Sequence, residues 1–313
     1  MKAQKNNNLN GIAKETGEIV KIDTVQKYND LFGLETLNPL VTVVDFSTMP
    51  PIAGVRAAYS LYCVFLKEVK CGDMTYGRQK YDYQEGTVVT TAPGQVYGFI
   101  TKEKHIVPKG WGLIFHPDLI RGTSLGQNIL NYHFFSYEVN EALHLSEKER
   151  AIVIDCMKKI QGELHHDIDK HSKKLIVRNI ELLLDYCDRF YDRQFITREN
   201  ENKDILTRFE SLLNQYYTSG RAENEGVPSV AQCAEKLNLS SNYFGDLMKK
   251  ETGISAQEHI QKFVIEQAKE KLLEGTRSVS EVAYELGFKY PQHFTRLFKQ
   301  QVGFTPNDYR SKN

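Results

Sequence analysis

Gln292, Thr295, Arg296 and Lys299 stand three and four residues apart near the end of the chain, just behind Lys289 and Pro291. On a helix that spacing makes one exposed stripe. Glutamine and threonine offer hydrogen bonds to base edges, arginine takes guanine or phosphate, and lysine neutralises phosphate. No acid occurs between Lys289 and Gln301. The chemistry these residue types share is recognition of a polyanion with readable edges.

A stripe of this kind needs a helix to carry it and a partner helix to brace it. The spacing predicts a carrying helix from about Pro291 to Gln301, buried through Phe294, Leu297 and Phe298. Ahead of it, Ser278 and Ser280 offer caps, Glu281 lies in the first turn, and Val279, Val282, Ala283 and Leu286 form an apolar face. Gly287 ends that bracing helix, with Phe288 as the apolar plug behind the turn. The unit reads as a helix-turn-helix. Two amphipathic core helices of any all-α domain would show the same apolar spacing, so repetition has to decide.

The pattern does repeat. Ser229, Val230, Ala234 and Leu237 match Ser278, Val279, Ala283 and Leu286 at an offset of 49 residues. Past the turn, Phe244, Leu247, Lys249 and Gly253 match Phe294, Leu297, Lys299 and Gly303 at an offset of 50. This is an internal duplication with one residue added in the second turn. Between the copies, residues 256–273 contain no Pro or Gly, and Ile260, Val264, Ala268 and Leu272 recur every four. A helix of that length spans roughly 27 Å at about 1.5 Å per residue. Recognition helices so spaced suit successive major-groove faces about one DNA turn, roughly 34 Å, apart.

Residues 278–310, with SVSEVAYELGF, HFTRLFKQQVGFTP and a final YR, resemble the signature of the AraC family of bacterial transcription regulators. The resemblance covers about 204–313, a third of the chain. It implies a double helix-turn-helix DNA-binding domain whose second recognition helix presents Pro291, Gln292, Thr295 and Arg296, and whose first presents Ser241, Asn242, Gly245 and Asp246. Lys249, Lys289 and Lys299 would meet phosphates. The first set departs from a good reader: Gly245 reaches nothing, and Asp246 repels phosphate although it could accept from a cytosine amino group. The second motif is expected to carry more of the affinity.

Over 313 residues the chain has 40 basic and 40 acidic side chains, net zero, with 41% hydrophobic residues, enough for two ordinary domains. That excludes a generally polybasic coat but not a local footprint, and the positive charge is indeed local: residues 286–313 hold five basic side chains and one acid. Five cysteines, Cys63, Cys71, Cys156, Cys187 and Cys233, form no CxxC pair and suit reduced thiols. With no apolar run of membrane-spanning length and no signal-peptide core in the polar start, a soluble cytoplasmic protein without membrane attachment is expected.

Residues 1–16 are polar and read as a tail, and Val25 to Leu31 as a short helix. From Leu40 to Tyr137, β-branched and aromatic runs are divided by Gly, Pro, Asn and Asp, with turns at Gly72-Asp73 and Pro93-Gly94. An antiparallel β-barrel or sandwich is expected, and the family resemblance points to a cupin-like sensing domain over 17–145. The chain as a whole is then α+β. A metal-dependent cupin enzyme fused to a DNA-binding tail is the rival reading, but Tyr97 stands where the second cupin motif has its ligand histidine. His105, His116 and His133 make no HxH pair. No cofactor is expected, and no Pro-Cys-His run supports a repair methyltransferase.

A small-molecule effector in a barrel mouth would use aromatic walls and a few polar anchors. Arg56, Tyr62, Tyr97 and Trp111 are the candidates, among rings that also include Tyr59, Tyr76, Tyr81 and Tyr83. Alternation along residues 56–66 sets Arg56, Ala58, Ser60 and Tyr62 on one face and Ala57, Tyr59, Leu61 and Cys63 on the other. An Arg56-lined cavity would fit a sugar or carboxylate.

Residues 146–191 turn helical. Ser146 and Glu149 form a capping box ahead of Ile152, Cys156 and Ile160, and Leu175 to Cys187 carry a second apolar stripe. The resemblance implies a homodimer through these helices, while packing within the chain explains the stripes equally well. His165, His166 and His171 read as a solvated turn. The charged stretch 192–203 reads as a linker, and the domain at 204–313 begins with a helix through Leu206, Phe209, Leu213 and Tyr216. The expected partners are double-stranded DNA, a small-molecule effector, a second copy, and RNA polymerase if the chain activates.

Overall fold

A computed structural model describes residues 19–52, 55–68, 74–76, 79–81, 86–99, 107–138, 141–167, 169–197 and 199–312. The expected tail at 1–16, the Gly72-Asp73 turn, Cys71, Tyr83 and His105 lie outside them. The chain forms two units, residues 1–196 and 197–313.

In the first unit the β-rich runs become β1 (Val20–Ile22), β2 (Val41–Asp45), β3 (Val55–Tyr59), β4 (Tyr62–Lys67), β5 (Met74–Tyr76), β6 (Gln79–Tyr81), β7 (Thr87–Thr91), β8 (Val96–Phe99), β9 (Gly110–Phe115) and β10 (Leu143–His144). Among the described residues they form two five-stranded sheets, in the orders β1-β3-β8-β5-β6 and β10-β7-β4-β9-β2. Both sheets are open in strand order, so of the barrel and the sandwich expected, the closed barrel is not formed and two facing sheets are. All pairs are antiparallel except β1 with β3, which departs from the purely antiparallel expectation.

The stretch read as one alternating strand from Arg56 to Leu66 is two strands. Ser60 and Leu61 carry the chain from β3 in one sheet to β4 in the other. Its inner side is the Tyr59 side: Ala57, Tyr59 and Tyr97 from one sheet pack with Cys63, Phe65, Val89 and Ile114 from the other. Strands β4 and β9 are buried on both faces, which is why alternation fades there.

Short helices α1 (Val25–Phe32), α2 (Pro117–Ile120) and α3 (Ser124–Asn128) punctuate the sheets, and α4 (Glu147–His165) and α5 (Ser172–Thr197) complete the unit. The capping box forms: Ser146 Oγ accepts from Glu149 N, and Glu149 Oε2 accepts from Ser146 N at 2.8 Å. Arg193 donates to the same carboxylate at 2.7 Å and to the His144 carbonyl at 2.7 Å, joining the end of α5 to the start of α4. Helix α5 therefore continues six residues past Tyr191, into the charged stretch read as a linker. Gln194 and Phe195 are buried there, and Gln194 bonds His144 N and the Ala142 carbonyl. The next helix begins at Glu199, inside that same stretch.

The second unit is helical: α6 (Glu199–Thr218), α7 (Arg221–Glu225), α8 (Val230–Leu237), α9 (Ser241–Thr252), α10 (Ala256–Leu273), α11 (Val279–Glu285), α12 (Pro291–Val302) and α13 (Pro306–Lys312). Phe209, Phe244, Ile260, Val264, Phe294 and Phe298 are fully buried in one cluster drawn from α6, α9, α10 and α12. The 18-residue α10 joins the two copies as expected.

Candidate nucleic-acid interface

The duplication in sequence is a duplication of geometry. At the end of α11, Gly287 N bonds the Tyr284 carbonyl and Phe288 N reaches back to the Ala283 carbonyl, both at 2.9 Å. At the end of α8, Asn238 N bonds Glu235 O at 3.1 Å and Leu239 N bonds Ala234 O at 2.9 Å. These are the same paired closures, with an apolar residue behind each left-handed position. Asn238 holds φ 60° where the second copy uses Gly287 at φ 87°, a substitution asparagine tolerates because it visits this region more readily than most residues.

Gly287 is required for a further reason. A Cβ there would lie 2.5 Å from Gly226 C and 2.7 Å from Val227 N. The turn of the second motif thus packs glycine-to-backbone against the loop that leads into the first. Tyr216 Oη fixes that loop by donating to the Gly226 carbonyl at 2.8 Å.

Each recognition helix presents a mixed face. On α12, Gln292, Arg296 and Lys299 are exposed, Pro291 and Thr295 half-buried, and Phe294 and Phe298 buried beneath them. On α9, Ser241, Asn242 and Lys249 are exposed, while Gly245 and Asp246 are half-buried. Lys289, exposed ahead of α12, holds its Nζ 5.6 Å from the centre of the Tyr290 ring.

Thr295 differs from its expected use. Its hydroxyl donates to the Pro291 carbonyl at 3.0 Å, one helical turn back, so the donor assigned to a base edge is engaged within the helix, and the methyl and the acceptor side of the oxygen remain. This back-bond is a common habit of threonine inside helices.

Caps separate α12 from its neighbours. Helices α8, α9, α10 and α11 start at Ser229, Ser240, Ser255 and Ser278, each accepting from a backbone N–H of the first turn. The Glu281 and Glu258 carboxyls lie below their ordinary range because the Ser278 and Ser255 backbone N–H groups donate to them. Helix α12 instead starts at Tyr290, which makes no side-chain cap bond, with Pro291 in the first turn. Tyr290 is 47% exposed and its ring stands against His293 in an edge-on contact, centroids 5.5 Å apart.

Arg310, part of the terminal YR, turns inward rather than toward a ligand. Its guanidinium donates to the carbonyls of Leu272 at 3.1 Å and Arg277 at 2.7 Å, closing the end of α10. Arg277 and Lys271 both pair with Glu285 of α11, at 2.8 and 3.0 Å. In the sequence the YR pair reads only as part of the family signature. Tyr290 is not among the expected contacts, although an aromatic residue in a capping position is visible there.

In the first unit the four candidate effector residues do not converge. Register places Tyr62 opposite Phe115 and Leu66 opposite Trp111, so Tyr62 and Trp111 share one face of their sheet. Tyr62 stacks on Phe115 and meets Phe135 edge-on, and Trp111 lies under the Lys158 ammonium at 5.8 Å. Tyr97 belongs to the inter-sheet core, where its hydroxyl meets Lys67 Nζ at 2.6 Å and its ring stacks on Phe65. Arg56, half-buried on β3, alternates with the core residues Ala57 and Tyr59 rather than joining them. The single cavity lined by all four is therefore replaced by residues on separate faces. Burial pushes the Cys63 thiol in this core up to about 12. Cys63, Cys156, Cys187 and Cys233 are free and buried. Among the described residues no three His, Cys, Asp or Glu side chains group as a metal site would need, and no helix is long and apolar enough to cross a membrane.

A family model described as a helix-turn-helix domain matches residues 233–312. The chain is 34% identical over 90 residues to the uncharacterized HTH-type transcriptional regulator YtdP of Bacillus subtilis, a match covering 29% of this chain and 12% of that protein. It is 30% identical over 77 residues to the HTH-type transcriptional activator RhaS of Escherichia coli, covering 25% of this chain and 28% of that one. The matched region thus spans about an eighth to a quarter of those relatives. Among solved structures, the C-terminal domain of the response regulator yesN from Fusobacterium nucleatum is 28% identical, covering 34% of this chain and 98% of its own, with a TM-score of 0.31.

Proposed function

We propose that this chain, whose C-terminal third is an AraC-type helix-turn-helix domain, is a sequence-specific transcription regulator. One observation carries the reading. Two copies of one capped helix-turn-helix share a core and a connecting helix, and the second copy exposes Gln292, Arg296 and Lys299 on a face without acid. Arg296 donates to guanine or phosphate, Gln292 to a base edge, and Asn242 and Ser241 to the first half of the site. Asp246 accepts from a cytosine amino group, and Lys249, Lys289 and Lys299 meet phosphates.

The first unit is then the sensing half, cupin-like in character. A second copy pairs through α5, where Leu175 and Leu182 stand seven residues apart and exposed. RNA polymerase is the further partner where the bound site serves activation. Relatives described as transcriptional regulators favour this reading over a metal-dependent enzyme.

Titration of genomic fragments at two salt concentrations tests the assignment. Wild-type binding should be fragment-selective and fall steeply with salt. Arg296→Ala should lose about 1–3 kcal/mol of specific binding. Unchanged affinity in that variant would sink the reading.

A further inference from the structure

The leading end of α12 carries an apolar strip beside its polar readers. Tyr290 is half exposed, and nothing in the helix start uses its hydroxyl as a cap. Its ring is braced from two sides, by the edge-on His293 and by the Lys289 ammonium. Pro291, next in the chain, adds a second apolar ring. Thr295 lies one turn on along the same ridge, and with its hydroxyl bonded to the Pro291 carbonyl it has a methyl to offer. Gln292 and Arg296 form the adjacent ridge, both exposed.

A tyrosine–proline–methyl strip with an exposed ring at its head and two half-buried members behind it would be out of place if this helix recognised phosphate alone, because phosphate contacts need donors. Base edges in the major groove present one apolar group, the thymine 5-methyl, and apolar side chains are its natural partners. The N-terminal residues of a recognition helix are also the ones that reach base edges. Lys289, Arg296 and Lys299 around the strip, with no acid from 289 to 301, make duplex DNA the occupant that matches the charge.

We infer that Tyr290, Pro291 and the Thr295 methyl form a thymine-reading surface, so that the DNA sites this protein selects carry thymines under the start of α12. The inference rests on the DNA-binding reading above. It adds a specificity determinant, Tyr290, in a position that four of its neighbours in the fold fill with a capping serine.

The test begins with a duplex selected from a randomised pool by the full-length chain, followed by replacement of single thymines with deoxyuridine, which removes only the methyl. One buried methyl-sized group is worth about four-fold in affinity. Wild type should lose about that factor at one or two positions of the half-site. Tyr290→Ala should bind the thymine and uracil duplexes alike, whereas Tyr290→Phe should still discriminate. The inference is overturned if wild type binds both duplexes equally, or if Tyr290→Ala keeps the discrimination. Loss of discrimination in Tyr290→Phe would overturn it too, by giving the role to the hydroxyl. Failure of the underlying reading looks different: no sequence would be enriched from the pool, or Arg296→Ala would bind as wild type, and both proposals would then fall together.

Discussion

Thr295 stands beside Gln292 and Arg296 on α12 with its hydroxyl turned back into its own helix. A threonine on the exposed stripe of a recognition helix suggests a hydroxyl for a base edge, but the hydroxyl donates to the Pro291 carbonyl. That bond depends on one χ1 rotamer, and threonine in a helix divides between two, so the sequence holds no record of the choice. The consequence is testable. Thr295→Val keeps the methyl and removes the hydroxyl, and is expected to leave DNA affinity within about 0.5 kcal/mol, the range typical of substitutions away from buried features. Thr295→Ala removes the methyl as well and should weaken binding by about 0.8 kcal/mol. Fluorescence anisotropy on one selected duplex separates the two, and a valine variant as weak as the alanine variant would restore the hydroxyl to the base edge. Gln292, Arg296 and Lys299 were legible for the opposite reason. Their exposure follows from helical spacing against Phe294 and Phe298, which a sequence does record.

At the scale of elements, the helices of the second unit were readable because their starts and stops are written locally. The Ser278 cap and the Gly287 closure fall where the spacing placed them, Ser229 caps the repeat at the matching position, and Ser255 and Asn238 do the same work in the helices between. The sheets were harder. Nothing local in Arg56–Leu66 says that the chain changes sheet at Ser60 and Leu61, and strand partners such as Phe65 with Gly112 are distant in sequence. In the charged stretch 192–203, where the two units divide, the average composition hides the buried residues Gln194, Phe195 and Asn202. Glycines test the local logic. Gly303 and Gly287 share φ 87°, but a Cβ on Gly303 meets nothing within 4 Å while one on Gly287 meets the backbone of Gly226 and Val227. Gly303→Ala should therefore cost about 1–2 kcal/mol, the strain of the left-handed backbone alone. Gly287→Ala should cost distinctly more and loosen the second motif from the loop before the first. Denaturant midpoints of the two variants check this, and equal losses would mean that the Gly287 contact contributes nothing.

For the whole molecule, a net charge of zero carries little information, because binding is set by where cations cluster and not by their sum. Among the described residues, the core cluster of the second unit runs from Ile205 to Tyr309. A fragment of residues 197–313 is therefore expected to fold alone, melt in one transition, and bind DNA. If Lys249, Lys289, Arg296 and Lys299 supply its phosphate contacts, log K should fall against log salt with a slope of about −3.6, at about 0.9 per phosphate neutralised. A full chain paired through α5 would bring two such domains to a repeated site and bind with about twice that slope. Measuring both slopes on the same duplex thus weighs the α5 pairing separately from DNA recognition. Equal slopes would leave each domain binding as a single copy and remove the case for pairing through Leu175 and Leu182. A fragment that fails to fold would show that the second unit needs the first to complete its core.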